Sequence, residues 1–576
     1  MNLHAIYHIT DVPYAYAEDE NNLFIMIRTE KKGVKGCRLF YKDRYDWENP
    51  FNVKNMELKN RDNLFDYFET VINLQKNRYR YFFELEDFNG NILYYNERGF
   101  HEKSVCEAGA FEFPYIASAD VYKSPSWAQE GIVYQIFPDR FCNGDKSNDP
   151  LGVKSWGDDV TAASMFGGDL EGIINKLDYL ESLGITIIYL TPVFLSTTNH
   201  KYNTRDYYKI DPHFGDVNTA KRLVENAHKR GIKVIFDAVF NHSGDDFFAF
   251  LDVLKNQEES KYKDWYFIKE FPVSTEKINY ETFADNVSIM PKLNTSNLDV
   301  REYLLDVSEF WIKEVGIDGW RLDVCDEVDH LFWREFRKRV KSANKEAFII
   351  GEICHEAVSF LKGEQLDSIM NYPFRDVMID YFAKRSIKAD KMINELSAKR
   401  ALYMKKINMN LLNLLGSHDR ARFLTECGNH VERLKLAAAF QYTYIGIPYI
   451  YYGDEIGMSG GHDPECRRCM EWDEKKQNRE LFNYYKTLNR IRKENKVLVY
   501  GDFINVYSQG SITAFKRINN KDVILVILNN CDEENSLKSE DIKGNYINLF
   551  TGEKIHLFDS IILKPNDINI LKLSHE

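Results

Sequence analysis

Four short apolar runs in this chain each stop on a carboxylate, and no other feature narrows the fold as much. Lys233–Val234–Ile235–Phe236 runs into Asp237 and then Asn241–His242, and Trp320–Arg321–Leu322 runs into Asp323. Phe348–Ile349–Ile350–Gly351 runs into Glu352, and Leu411–Leu412–Asn413–Leu414–Leu415–Gly416 runs into Ser417–His418–Asp419. Such runs read as short buried strands, and in Trp320–Arg321–Leu322–Asp323–Val324 a two-residue alternation sets Arg321 and Asp323 on one face. In a barrel of parallel strands the C-terminal ends open onto the active-site face, so acids at those ends read as catalytic. The Arg321 segment alone fits a buried structural Arg–Asp pair equally well; recurrence in four segments decides for chemistry. Several acids and two His at strand ends suit a glycosidic bond, where one carboxylate attacks and another donates a proton.

As Asp237–Ala238–Val239–Phe240–Asn241–His242, Gly319–Trp320–Arg321–Leu322–Asp323, Gly351–Glu352–Ile353 and Ser417–His418–Asp419, the four segments resemble the signature regions of the α-amylase family of glycoside hydrolases. Order and spacing agree. The surrounding chain alternates apolar strands with helical stretches at about 172–183, 219–228 and 300–315, a βαβα pattern that argues for a parallel sheet covered by outer helices. Strands are expected at 132–141, 185–190, 233–240, 319–324, 347–353, 368–374, 411–418 and 449–455. Periodicity leaves an open doubly wound sheet standing; the resemblance supplies closure into an α/β (β/α)8 TIM barrel.

Residues 1 to about 120 carry β-rich runs, with Asn89–Gly90–Asn91 set between two of them like a hairpin turn. Such a β-sandwich module in this position resembles the N-terminal domain of the neopullulanase, maltogenic amylase and cyclomaltodextrinase group. In that group it forms a homodimer and covers the partner's active site. The barrel is expected over 121–498, with an inserted small domain at about 242–297, too long for an ordinary connection. The insertion ends in Met290–Pro291–Lys292–Leu293–Asn294, which resembles the same group. From about 499 to 576 short β-runs return and read as a C-terminal β-sandwich.

The resemblance assigns roles to this chain's own residues. Asp323 is the expected nucleophile, Glu352 the acid/base, and Asp419 a binder of sugar hydroxyls that favours ring distortion. Double displacement with retention needs the two reacting carboxyls about 5–5.5 Å apart. For Glu352 to stay protonated at neutral pH, burial and the neighbouring Asp323 charge must raise its pKa. Arg321 is expected to hold Asp323 ionised and oriented, with His242 and His418 hydrogen-bonding the reacting sugar and Tyr202 stacking under it. Asp237 supports the site, and Glu327 is retained beside it. Val324–Cys325–Asp326–Glu327 departs from the group's Val-Ala-Asn-Glu, with a charge where an amide usually stands, and puts the balance of transfer against hydrolysis in doubt.

Asn143–Gly144–Asp145–Lys146–Ser147–Asn148–Asp149 gathers oxygen ligands on one loop, which suits calcium but equally suits an ordinary turn. The resemblance implies a structural calcium held by Asn143, Asp145, Asn148, Asp149, Gly167 and Asp169; no organic cofactor is implied. A formal charge of −13, from 75 basic against 88 acidic residues, argues against a nucleic-acid partner. The start lacks the basic region and long apolar run of a secretory signal, and no apolar run would span a membrane. Nine Cys, an odd number, fit reduced thiols in a cytoplasm. Cys466 and Cys469 form an isolated C-x-x-C with no second pair at metal spacing. The expected activity is hydrolysis of α-1,4 bonds in cyclodextrins, pullulan and maltooligosaccharides, with transglycosylation alongside. A glucan transferase or ordinary α-amylase, a catalytically inactive amylase-like scaffold and a pure glycan-binding protein are the alternatives.

Overall fold

The computed structural model describes residues 1–103 and 108–574, so Cys106 lies outside it. At its centre stand eight short parallel strands: β1 (Val133–Ile136), β2 (Ile187–Leu190), β3 (Lys233–Ala238), β4 (Gly319–Leu322), β5 (Phe348–Gly351), β6 (Ser368–Ile369), β7 (Leu412–Leu414) and β8 (Ile447–Tyr451). They pair in the order β6-β5-β4-β3-β2-β1-β8-β7. Met370 then bridges Leu412 in parallel, and the Asn371 N–H donates to the Leu412 carbonyl at 2.9 Å. That contact joins the two ends and closes the barrel. Every strand residue but Lys233 is buried, which is why these strands read as unbroken apolar runs.

Several strands stop earlier than their apolar runs suggest, for local reasons. β6 keeps two residues because the Asn371 side chain accepts from the Phe374 N–H and starts a helix at Tyr372–Met378, with Pro373 in its first turn. After β8, Gly453 at φ 86° turns the chain into a 3-10 turn at Asp454–Ile456. The helix expected over 172–183 is two, Leu170–Asn175 capped by the Asp169 side chain and Leu177–Leu183 closed by Gly184 at φ 95°. The helix expected over 300–315 begins at Leu298, runs to Phe310 and ends in a wide turn, Trp311–Val315.

Eight N-terminal strands follow one path, Ala15–Ala17, Asn22–Glu30, Phe65–Asn73, Asn52–Arg61, Gly36–Asp43, Tyr79–Glu86, Ile92–Asn96 and Gly99–His101, and a ninth, Phe111–Phe113, pairs with Tyr79–Glu86 off it. Strand Asn22–Glu30 is buried on both faces. Leu23, Ile25 and Ile27 pack with Leu39, Phe68 and Phe83, whereas Phe24 and Met26, with Tyr16, join the barrel-side core. Asn52–Arg61 buries only Met56 and Asn60 and so carries no apolar signal in the sequence. The C-terminal strands form a six-stranded and a two-stranded sheet around Leu525, Ile527, Leu537 and Leu563. Arg517, fully buried, donates to the carbonyls of Thr443, Tyr444, Leu498 and Gly501 and fastens this sheet to the barrel. Between β3 and the helix Leu298–Phe310, the insertion doubles back on itself. Ser243 N–H donates to the Pro291 carbonyl at 3.1 Å and Leu293 N–H to the Asn241 carbonyl at 3.0 Å, which brings Lys292 to the end of β3.

Candidate active site

The alternation of β4 turns Arg321 and the following Asp323 to one side, at the C-terminal mouth of the barrel. Arg321, 1% exposed, is the hub of a charge cluster. Its Nη1 donates to both Asp237 oxygens at 3.0 Å and to Asp323 Oδ1 at 2.9 Å, while Nη2 lies 2.7 Å from Glu352 Oε1. One guanidinium therefore touches acids from the ends of β3, β4 and β5. Glu352 is also fixed by the Val324 N–H, which donates to its Oε2 at 3.1 Å. That N–H is aimed by a left-handed backbone at Val324, φ 43°, an outlier for a β-branched residue. Strain of this kind persists only where the surrounding structure holds it, and here it sits between the two carboxyls expected to react.

Three acids on one cation in a dry site do not ionise freely. Burial, opposed by Arg321, pushes Asp237 up to about 6. Asp323 is raised well above the ordinary carboxylate value by burial first and then by the Glu352 charge, again against Arg321. Both carboxyls expected to react lie deep in the mouth: the Asp323 side chain is 7% exposed and that of Glu352 14%.

His418 sits on the far side. Gln135 Nε2 lies 2.6 Å from its Nδ1, so the proton of the neutral ring belongs on Nε2, which faces the Tyr202 hydroxyl at 2.6 Å and Asp419 Oδ2 at 3.1 Å. Burial first, then the Arg467 and Arg321 charges, hold this ring neutral. The Tyr202 hydroxyl passes a bond to Asp237 Oδ2 at 3.2 Å, and its ring stacks on His418 at 5.6 Å and 7°. His242 is neutral as well, pushed down to about 3 by burial and then by Lys292. It lies against the Phe283 ring, and its Nε2 is buried without a hydrogen-bond partner among the described residues. A sugar hydroxyl would satisfy it. Asp419, about a third exposed, accepts from Arg467 Nη2 at 3.1 Å.

Sequence reasoning passed over several groups that complete this arrangement. Tyr189 donates to Asp237 Oδ2 at 2.6 Å, Gln135 sets the His418 tautomer, and Lys292 binds Asn241 Oδ1 and reaches Glu327 Oε2 at 3.1 Å. The C-x-x-C reaches the site through two of its residues: Cys466 Sγ donates to the His418 carbonyl at 3.2 Å and Arg467 Nε donates to it at 2.8 Å. Asp326 pairs with His355 at 3.0 Å on the rim.

Known families match the part of the chain that holds this site. The description "Alpha amylase, catalytic domain" matches residues 135–501, and "Alpha amylase, N-terminal ig-like domain" matches residues 1–117. The chain belongs to the α-amylase family. Within it, the chain is 52% identical over 571 residues to a cyclomaltodextrinase of Thermoanaerobacter pseudethanolicus, covering 99% of each chain. It is 48% identical over 567 residues to neopullulanase 2 of Thermoactinomyces vulgaris, covering 96% of each. Among solved structures, a cyclomaltodextrinase superposes with a TM-score of 0.96 at 41% identity, over 99% of this chain and 100% of that one. All four signature segments lie inside the matched catalytic region, at the mouth of a barrel of the kind this family uses.

The loop read as a cation site lies outside the cleft. Asp169 accepts from the N–H groups of Gly144, Asp145 and Gly172 and from Asn148 Nδ2, so its oxygens are already engaged. Asp145 turns back on Ser147. What stays unsatisfied is amide oxygen: Asn143 Oδ1 and Asn148 Oδ1 are buried without a partner among the described residues, and a Cβ on Gly167 would meet Asp149 Oδ1 at 2.2 Å. Among the described residues no three His, Cys, Asp or Glu side chains converge as metal ligands. A cation here would rest mainly on amide and backbone oxygen, which suits calcium.

Proposed function

We propose that this protein is a retaining glycoside hydrolase of the cyclomaltodextrinase, neopullulanase and maltogenic amylase type, cleaving α-1,4-glucosidic bonds of cyclodextrins, pullulan and maltooligosaccharides. The observation that carries the reading is Arg321 holding Asp323 and Glu352 on neighbouring nitrogens. Asp323 attacks the anomeric carbon of the bound sugar as Glu352 passes its proton to the departing glycosidic oxygen. A covalent glucosyl ester forms; Glu352 then takes a proton from water, which breaks the ester with net retention. A sugar hydroxyl in place of that water gives transglycosylation. Asp419, His242 and His418 offer hydrogen bonds to the reacting sugar, Tyr202 offers a ring face, and Asp237 steadies Arg321.

Full-length similarity, N-terminal module included, favours this reading over an ordinary α-amylase or a glucan transferase. The test is incubation with β-cyclodextrin, pullulan and soluble starch, with the products separated and their anomeric form followed. Ring opening of β-cyclodextrin faster than starch cleavage, with α-anomers first, is expected; starch cleavage without ring opening would overturn the reading. Glu352→Gln should lose about 10²–10⁴-fold on these glucans and far less on activated aryl glucosides, which need little protonation. Equal losses would remove Glu352 as proton donor.

The same reading has a homodimer through the N-terminal module, narrowing the cleft, which the mass in solution tests beside the β-cyclodextrin to starch ratio. It has the protein in the cytoplasm, in keeping with eight free thiols among the described cysteines. No helix among the described residues is long and apolar enough to cross a membrane. Calcium would be held by Asn143, Asn148 and Asp149 with the Gly167 backbone, bracing the loop between β1 and the helix Leu170–Asn175. Asp145 and Asp169 then serve as loop formers. At a hundredfold excess over its dissociation constant such an ion stabilises by about 2.7 kcal/mol. Calcium should therefore raise the melting temperature of the chelator-treated protein, and Asn143→Ala with Asn148→Ala should erase the effect along with metal retention. An unchanged response in the double variant would place the ion elsewhere.

A further inference from the structure

Away from the cleft, a cavity of about 350 Å³ lies where the N-terminal sheet, the barrel and the C-terminal sheet meet. Strand register builds its floor. Tyr16 opposes Phe24, Phe24 opposes Val71, Met26 opposes Glu69, and Glu69 opposes Glu57, so these side chains share one sheet face. The opposite wall is the end of the helix Ala389–Arg400 with the loop beyond it, and Phe503 at the start of the C-terminal sheet. Tyr16 stacks on Phe24 at 4.6 Å, and Arg400 lies 4.8 Å over the Phe503 ring.

The polar groups in this cavity are mixed and balanced. Glu18, Glu57, Glu69 and Asp502 face Lys54, Lys59, Arg400 and Lys405. Lys405 is spent on Asp502 at 2.7 Å and Lys59 on Glu57 at 2.7 Å, while Arg400 reaches Asn60. Glu69 is left over: half-buried, its carboxyl makes no hydrogen bond or ion pair among the described residues. Burial pushes its carboxyl up to about 7 against the Arg400 and Lys405 charges, with Asp502 adding to the rise. The Tyr16 hydroxyl accepts from the Lys405 N–H, so its own proton is free to donate.

We propose that this cavity is a second binding site, for a neutral polyhydroxylated ligand of one or two pyranose rings. A cation would meet Arg400 and Lys405, and an anion Glu57, Glu69 and Asp502; a neutral sugar meets neither penalty. Apolar and aromatic walls suit pyranose faces, and the unpartnered Glu69 with Tyr16 supplies an acceptor and a donor for hydroxyls. The volume falls in the range of small-ligand pockets. The assignment stands on this cavity alone and is independent of the chemistry assigned to Asp323 and Glu352. Because the walls come from three parts of the fold, an occupant would tie them together.

Equilibrium dialysis with labelled maltose tests this, on full-length Asp323→Asn protein so that sugar is not consumed. A class of one maltose per chain should vanish when Val71→Trp fills the floor, and weaken at least tenfold in Glu69→Ala, with Glu69→Gln restoring most of the affinity. In the otherwise native protein, Val71→Trp and Glu69→Ala should leave turnover of β-cyclodextrin unchanged. If the Val71→Trp protein does not fold, the two Glu69 variants carry the decision. Unaltered stoichiometry and affinity in the variants would overturn the proposal, as would binding lost equally in Glu69→Ala and Glu69→Gln.

Discussion

Asp323→Asn is expected to abolish turnover and, in the same protein, to raise thermal stability. Loss of the attacking oxygen should cost on the order of 10⁴–10⁶-fold in kcat on β-cyclodextrin. The stability gain follows from the site's electrostatics. Asp323 is raised well above its unfolded value by burial and the Glu352 charge. Between the two pKa values the folded state binds the proton more tightly than the unfolded one. Its contribution is therefore fully present at low pH and is lost as pH rises through the folded value. An amide carries no such penalty, and Arg321 keeps Asp237 and Glu352 as partners. The difference in melting temperature should widen as pH rises above about 4, the ordinary carboxylate value. Residual turnover near the native level would remove Asp323 as nucleophile, and lower melting at every pH would show that its charge is not under strain.

Arg321→Met should act in the opposite sense. Arg321 is buried, and its three acid partners have side chains between 0% and 14% exposed. Breaking a buried pair by removing one partner costs about 3–5 kcal/mol, because the charge left behind has lost its compensation. Here three lose it at once. Asp237, at about 6 with the guanidinium present, should rise further without it, as should Asp323. Folded values raised above unfolded ones make stability fall with increasing pH, so the deficit should be greatest near neutrality and shrink in acid as the carboxyls take up protons. Urea unfolding across that range measures it. Arg321→Lys should recover only part, since one ammonium cannot reach carboxyls that use both guanidinium nitrogens. A loss below about 1 kcal/mol at neutral pH would refute the hub.

What could be read before folding was what local burial writes into a sequence. β3, β4, β5 and β7 declared themselves because a parallel strand covered on both faces must be apolar, and their acids stood out by contrast. Closure was not legible, since Met370 meets Leu412 across 42 residues that carry no shared pattern. Asn52–Arg61 hid because almost nothing on it is buried. Gln135, Tyr189 and Arg467 hid for another reason. Each is a single polar residue whose partner lies dozens to hundreds of positions away, and only the barrel brings them together.

The strand Asn22–Glu30 has a bearing on how the molecule is made. Its Leu23, Ile25 and Ile27 can be covered as soon as the N-terminal module has emerged, but Phe24 and Met26 face a wall that ends in Arg400 and Phe503. Synthesis at 5–20 residues per second leaves that greasy surface uncovered for roughly 20–75 s before residue 400 exists. A nascent chain with a finished module and an unfinished barrel is therefore a natural client for a holding chaperone, and slow translation of the barrel would lengthen its exposure. Fusing a tag to the N-terminus leaves this interval unchanged, whereas moving the module to the C-terminus by circular permutation would remove it.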